Sequence, residues 1–273
     1  MDTAKVKNII ILVLLLVNLC LLALVAYDRI EAAGLLRQAE EDVTAAFESN
    51  GIRLASDVPW RANEPAFGLS RDREKEHSMV RRIIGRCAVQ DLGGNILFYK
   101  GARGEARFRG TGEFQIMPTD GGIETGSDPI ATASDVLRDM GFKVDASQSE
   151  MLQEGQAITV TLTCRFRGET AYNCKVKFLF STENLLLIDG RRPLEKGESS
   201  EAEMLDAATV LMRFLAQARE AGLVCTEVRS VELGYLMEAS AAGEGNMTPY
   251  WRIETDIGQH YINGVTGESG SLA

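Results

Sequence analysis

A run of twenty residues without a charged side chain, from Asn8 to Tyr27, constrains this chain more strongly than any other segment. Within it, residues 9–17 and 19–26 are almost wholly aliphatic or small. At about 1.5 Å per residue, a helix of this length is about 30 Å long, which matches the hydrocarbon core of a bilayer. The run therefore predicts a transmembrane anchor over residues 8–27 and excludes a freely soluble cytosolic protein.

The charges that flank the run indicate its orientation. Lys5 and Lys7 precede it, and Asp28 follows it. Because cationic flanks stay in the cytoplasm, residues 1–7 are expected to form a cytoplasmic tail and the bulk of the chain to be extracytoplasmic. We thus expect a single-pass protein of the cell membrane. A cleaved signal peptide is the alternative, although this run exceeds the usual apolar length and has Leu24 where a small residue is required.

The overall negative charge of the chain argues against partners that are themselves negatively charged. The chain has 39 acidic and 29 basic side chains, which gives a formal net charge of −10. A surface of this sign repels nucleic acid phosphates and anionic lipid headgroups. No nucleic acid partner is therefore expected.

The five cysteines are scattered, without a CxxC pair and without histidines at metal-ligand spacing. No metal or cofactor is therefore predicted. Cys164 and Cys174 fit opposite positions of a hairpin that turns at residues 168–170. A disulfide between them outside the cell and two free thiols in the core are both open interpretations.

Periodicity predicts helical structure directly after the anchor. Residues 28–51 contain no proline, carry apolar residues at helical spacing (Leu36, Ala39, Val43 and Phe47), and end at Asn50-Gly51. We expect the transmembrane helix to run on into this juxtamembrane helix without a break. Residues 52–78 contain two prolines and no sustained periodicity, which predicts an extended arm.

The rest of the chain predicts an α+β fold in which an N-terminal transmembrane helix precedes two tandem helix-on-antiparallel-sheet modules. Short strands are expected over residues 82–89, 95–100, 105–108 and 112–116, then a helix over 128–140, and strands over 158–166, 172–180 and 185–188. A second helix is expected over 199–221, with strands near 226–238, 249–256 and 259–263. This pattern assigns residues 52–195 to the first extracytoplasmic module, with the arm at its start, and residues 196–273 to the second.

Catalytic motifs are missing from the sequence. His77 and His260 stand outside any metal-binding spacing and are expected at the surface, and no serine nucleophile motif lies in a strand-turn-helix context. The acidic residues are spread along predicted solvent faces, so no carboxylate pair stands out for acid–base chemistry. The chain is therefore predicted not to be an enzyme.

The anchor itself carries a candidate binding surface. Asn18 lies near the middle of the run, where a polar side chain is costly unless it is hydrogen-bonded. A bond to a partner helix would contribute about 1 kcal/mol, and a bond to its own helix backbone or to lipid-level water is the alternative. Flanking contacts to a partner are expected from residues on the same side of the helix, namely Leu14, Leu15, Leu21, Leu22 and Val25.

The C-terminal segment from Thr248 to Glu268 carries a family resemblance. Its letters follow the pattern P-x-W-x-I, a turn at residues 256–258, and then YxNxxTG. This pattern resembles the closing hairpin of PepSY-type modules. Together with the anchor, the helix that continues it and the tandem modules, it resembles the YycH/YycI family, and the size and single span favour the YycI-like branch.

This resemblance implies a regulatory role. Members of the family are extracytoplasmic accessory proteins of a two-component system that controls cell-wall metabolism in low-GC Gram-positive bacteria. The implied partners are a sensor histidine kinase and a YycH-like sister protein, and the family implies no catalytic residues. An exported PepSY-like binding module that inhibits or chaperones a secreted protease is the alternative function, with the span acting only as a tether.

Overall fold

The structure is a computed structural model, which describes residues 3–119, 122–200 and 202–270. The chain divides into two compact units, Met1–Leu54 and Ala55–Ala273. The predicted class is confirmed, because a long apolar N-terminal helix precedes helices and an antiparallel-rich sheet. Residues 1 and 2 of the predicted cytoplasmic tail lie outside the described residues.

The first unit is built on one helix, α1, which spans Thr3–Ser49. The helix continues through Tyr27, so the predicted continuity of the anchor and the juxtamembrane helix is confirmed. It stops at the predicted signal, where Gly51 has a φ of +74° and its amide donates to the carbonyl of Glu48. A glycine tolerates this left-handed conformation, which turns the chain out of the helix.

The second unit repeats one pattern, a helix followed by a four-stranded antiparallel meander, three times within the described residues. Strand β1 (Phe67–Ser70) precedes the first copy, which comprises α2 (Arg73–Ile84), β2 (Cys87–Asp91), β3 (Ile96–Gly101), β4 (Gly104–Arg109) and β5 (Glu113–Pro118). The second copy comprises α3 (Pro129–Met140), β6 (Lys143–Glu154), β7 (Ala157–Phe166), β8 (Glu169–Phe180) and β9 (Leu185–Arg191). Strand β10 (Lys196–Ser199) precedes the third copy, which comprises α4 (Ala207–Glu220), β11 (Val228–Ala239), β12 (Glu244–Thr255), β13 (Gly258–Asn263) and β14 (Ser269–Gly270).

Two predictions are wrong where α2 lies. Its residues were expected to form the end of an extended arm, up to residue 78, and the start of a strand at residue 82. Asp72 caps the helix by accepting hydrogen bonds from the amides of Glu74 and Lys75. Met79, Val80 and Ile84 are buried on its inner side. The other three strands expected in this region match β3, β4 and β5.

Capping residues determine where the two later helices begin. Helix α3 lies where it is predicted, between the cap Asp128 and Gly141, which ends the helix in a left-handed conformation. The prediction that the next helix begins at residue 199 is wrong, because α4 begins at Ala207 after the cap Asp206, whose carboxylate accepts from the amide of Thr209. Residues 196–199 form β10 instead.

The three meanders join into one continuous sheet within the described residues. Strand β5 pairs antiparallel with β9, and β8 pairs parallel with β11 through Thr170 with Gly234 and Ala171 with Tyr235. Strand β1, from the predicted arm, lies between β10 and β12. The arm therefore contributes a strand next to residues of the predicted second module.

The side chain of Asn173 extends the short parallel ladder between β8 and β11. Its Nδ2 donates to the carbonyl oxygen of Met237 at 2.9 Å, and its Oδ1 accepts from the Met237 amide at 2.9 Å. The amide group thus takes the place of a backbone partner for a buried residue of β11. This pair of hydrogen bonds fastens the second meander to the third.

One large hydrophobic cluster of the second unit lies between the sheet and helices α2 and α3. Helices α2 and α3 contact each other, α2 contacts β3 and β4, and α3 contacts β6 and β7. Alternate residues of β4 and β8, such as Phe108 and Val176, point into this core. The residues between them point away from the core, so the opposite face of these strands carries exposed polar side chains.

Candidate functional site

The predicted binding surface lies on α1, whose described residues 11–27 are exposed on every side. Leu14, Leu15, Leu21, Leu22 and Val25 are each more than half exposed, and Asn18 is exposed among them. Spacings of three, four and seven residues place these side chains on one side of a helix with 3.6 residues per turn. The helix therefore presents one polar amide within an aliphatic stripe.

The amide of Asn18 makes no side-chain hydrogen bond within the part of the chain that the structure describes. The choice between a partner helix and its own helix or lipid-level water stays a prediction. An amide left in hydrocarbon without a partner costs several kcal/mol, so in a membrane this group requires a donor or acceptor from elsewhere.

The described part of α1 from Ile11 onward has a mean hydropathy of 2.5 over its most apolar window, none of which is buried. It is long and apolar enough to cross a membrane. The structure therefore supports one part of the predicted localisation, namely an N-terminal helix that is compatible with membrane anchoring.

The two cysteines of the predicted disulfide lie side by side in the core. The hairpin of β7 and β8 turns at Arg167 and Gly168, which both have positive φ. Cys164 and Cys174 are fully buried and present as free thiols. Burial raises the pKa of the Cys174 thiol to about 12, which disfavours the reactive thiolate. A disulfide between them stays a prediction.

A buried ionic cluster, missed by the sequence analysis, lies where α2 meets the chain after β9. Glu76 is fully buried and accepts from Arg71 through Nε (2.8 Å) and Nη2 (2.7 Å), and also from Nη2 of Arg192. Arg192 is fully buried too, and its Nη1 lies 3.4 Å from Oε1 of Glu195. Lys75 Nζ approaches the same oxygen at 3.5 Å.

This cluster ties three segments of the chain together. Arg71 also donates to the carbonyl oxygens of Asn95 and Phe108, and the Arg192 guanidinium lies 5.5 Å from the centre of the Phe108 ring. Burial and the nearby Glu76 carboxylate raise the pKa of Tyr99 to about 12. The cluster lies inside the unit, which suits a structural role.

The expected surface positions of the two histidines are corrected. Both are partly buried against aromatic rings, with His77 5.9 Å from Tyr99 and His260 5.1 Å from Phe214. Desolvation lowers the pKa of His260. Across residues 3–119, 122–200 and 202–270, no group of three or more His, Cys, Asp or Glu side chains is placed to hold a metal ion.

Comparison with known proteins bears on the fold. No protein-family model and no curated protein matches the chain. The crystal structure of an uncharacterized protein from Eubacterium rectale is similar, with a TM-score of 0.50 and 10% sequence identity. The match covers 81% of this chain and 90% of that one. At this identity the similarity concerns the fold alone.

Proposed function

We propose that this chain is a membrane-anchored, extracytoplasmic accessory protein that modulates a sensor histidine kinase through contacts of its transmembrane helix and its outer unit. The kinase and a YycH-like sister protein are the partners that the C-terminal hairpin pattern suggests. Control of cell-wall metabolism is the process that the same resemblance suggests.

The observation that carries this proposal is the unpartnered amide of Asn18 within an exposed aliphatic stripe. A helix that serves only as a tether gains nothing from a polar group at this depth, since lipid offers the amide no hydrogen bond. A partner helix that supplies a donor or acceptor relieves this cost. Leucine and valine side chains on both sides of Asn18 provide packing for the same partner.

Contacts made by this surface can supply the free-energy difference that regulation requires. A regulator shifts a two-state kinase only by binding one state more tightly than the other. A tenfold shift requires a difference of about 1.4 kcal/mol. One interhelical hydrogen bond of about 1 kcal/mol, together with aliphatic packing, supplies this amount if it forms in one kinase state only.

The continuity of α1 supports a mechanical link along the helix. The helix runs unbroken from the apolar segment to Ser49, and the described residues between contain no proline. A rotation or shift imposed on the apolar segment is therefore carried to the C-terminal end of the helix rather than absorbed by a flexible joint.

Substitution of Asn18 tests the proposal. We expect Asn18→Leu to weaken co-purification of the chain with the sensor kinase from detergent-solubilised membranes by about fivefold or more, since one interhelical hydrogen bond of about 1 kcal/mol is lost. Asn18→Gln should restore much of the complex, because it keeps the amide.

Cys20→Leu is the matched control, because Cys20 lies about 200° around the helix from Asn18 and also receives a leucine. This variant should co-purify like the unmodified chain. Equal recovery of the kinase with Asn18→Leu and with Cys20→Leu would contradict a role for the amide.

A further inference from the structure

The outward face of the sheet contains a cleft of about 450 Å³ in which basic side chains predominate. We call it the cationic cleft. Four of its lining residues are basic and two are acidic, although the whole chain has a net charge of −10. The basic residues are Arg107 and Arg109 on β4, Lys175 on β8 and Arg191 on β9, and they are accompanied by Glu113, Gln115, Asn173 and Asp189.

Two of the four basic side chains are already engaged within the protein. Arg109 Nη1 lies 3.7 Å from Oε2 of Glu113, and Arg191 Nε donates to the carbonyl oxygen of Thr111 at 3.3 Å. Arg107 and Lys175 form neither an ion pair nor a side-chain hydrogen bond with any residue that the structure describes. The cleft thus holds two exposed cations that have no ion-pair partner among the described residues.

Strand register determines how far apart these two cations are. Arg107 lies opposite Gln115 on β5, which in turn lies opposite Asp189 on β9, and β9 pairs with β8. The residue of β8 opposite Asp189 is Lys177, so Lys175 lies two residues further along that strand. Three strand spacings and this offset place the Arg107 and Lys175 backbones about 16 Å apart. One ligand that engages both side chains must be extended or carry more than one anionic group.

A second cavity, of about 280 Å³, continues from Lys175, which lines both. Its wall includes Tyr172, Tyr261 and Arg252. The Arg252 guanidinium lies 5.2 Å from the centre of the Tyr172 ring, and the two tyrosine rings meet edge to face at 5.3 Å. Both tyrosines are buried, so they shape this wall but leave little ring surface for a ligand.

We propose that the cationic cleft binds a short, extended ligand that carries two or more oxyanion groups, phosphate or carboxylate, with Arg107 and Lys175 as its principal contacts. Guanidinium and ammonium groups form charge-assisted hydrogen bonds with both kinds of oxyanion. The acidic surface elsewhere on the chain repels long polyanions such as nucleic acid, which restricts the ligand to a short one.

Binding measurements on the full chain in uncharged detergent micelles test this site. Inorganic tripolyphosphate and citrate serve as the two probes, titrated by calorimetry at low ionic strength. We expect saturable binding of at least one probe at a single site, and the stronger probe identifies the phosphate or carboxylate class. Arg107→Glu and Lys175→Glu should each weaken its binding by about tenfold or more.

Lys143→Glu is the matched control, since it makes the same charge change at an exposed strand residue that does not line the cleft. It should leave the affinity within about twofold. If either charge reversal disturbs the fold, as judged by circular dichroism, Arg107→Gln and Lys175→Gln replace it. Absence of saturable binding by both probes, or an equal loss of affinity in Lys143→Glu, would overturn the proposal.

Discussion

Replacement of Glu76 by glutamine is expected to lower the free energy of unfolding by about 3–5 kcal/mol, because it leaves two buried guanidinium groups without their shared carboxylate. Arg71 and Arg192 both donate to Glu76, and all three side chains are almost completely buried. Glu195 cannot compensate fully. Burial raises its pKa, and its carboxylate already lies close to Arg192 and Lys75.

The measurement is denaturant unfolding of the full chain in micelles, followed by tryptophan fluorescence. Glu105→Gln is the matched control, since Glu105 forms an exposed ion pair with Lys100 at 2.6 Å. Loss of this surface pair should cost at most about 1 kcal/mol. If Glu76→Gln costs no more than Glu105→Gln, the buried cluster does not hold the unit together.

Replacement of Asn173 by leucine is expected to destabilise the contact between the second and third meanders. The substitution leaves the buried N–H and C=O groups of Met237 without partners, and each unsatisfied group costs about 1–3 kcal/mol. The parallel ladder here contains only the two residue pairs from β8 and β11, so backbone pairing does not compensate. The total expected loss is about 2–6 kcal/mol.

Hydrogen exchange at the Met237 amide reports this loss directly, alongside the unfolding free energy. Asn246→Leu is the control, because Asn246 is an exposed strand asparagine without a side-chain hydrogen bond among the described residues. Exchange at Met237 should accelerate in Asn173→Leu and stay unchanged in Asn246→Leu. Unchanged protection in Asn173→Leu would show that the amide does not sustain the junction.

Elements that depend on local periodicity could be predicted from the sequence. The continuity of α1, the cap and stop of α3 at Asp128 and Gly141, and the alternating strands β7 and β8 follow from spacing and turn chemistry alone. The stripe around Asn18 could also be predicted, because it requires only the geometry of a helix.

Elements that depend on distant partners could not be predicted. Helix α2 has a charged sequence, and Glu76 is buried there only because Arg192, far along the chain, reaches it. Strand β6 is largely polar and pairs with β7 without clear alternation of its own. In the cationic cleft, Arg107 and Lys175 come together only through the pairing of β5 with β9 and of β9 with β8.

We propose that the apolar segment of α1 acts as an interaction surface as well as a membrane anchor. The direct test reconstitutes the sensor kinase in liposomes and measures its autophosphorylation with the full chain or with a chimera. In the chimera, residues 8–27 are replaced by an unrelated membrane-spanning helix of equal length. We predict that the chimera inserts into the membrane but no longer changes kinase activity. A chimera that regulates the kinase as effectively as the original chain would contradict this proposal. The helix would then act only as a tether, as expected for a PepSY-like protease-binding module.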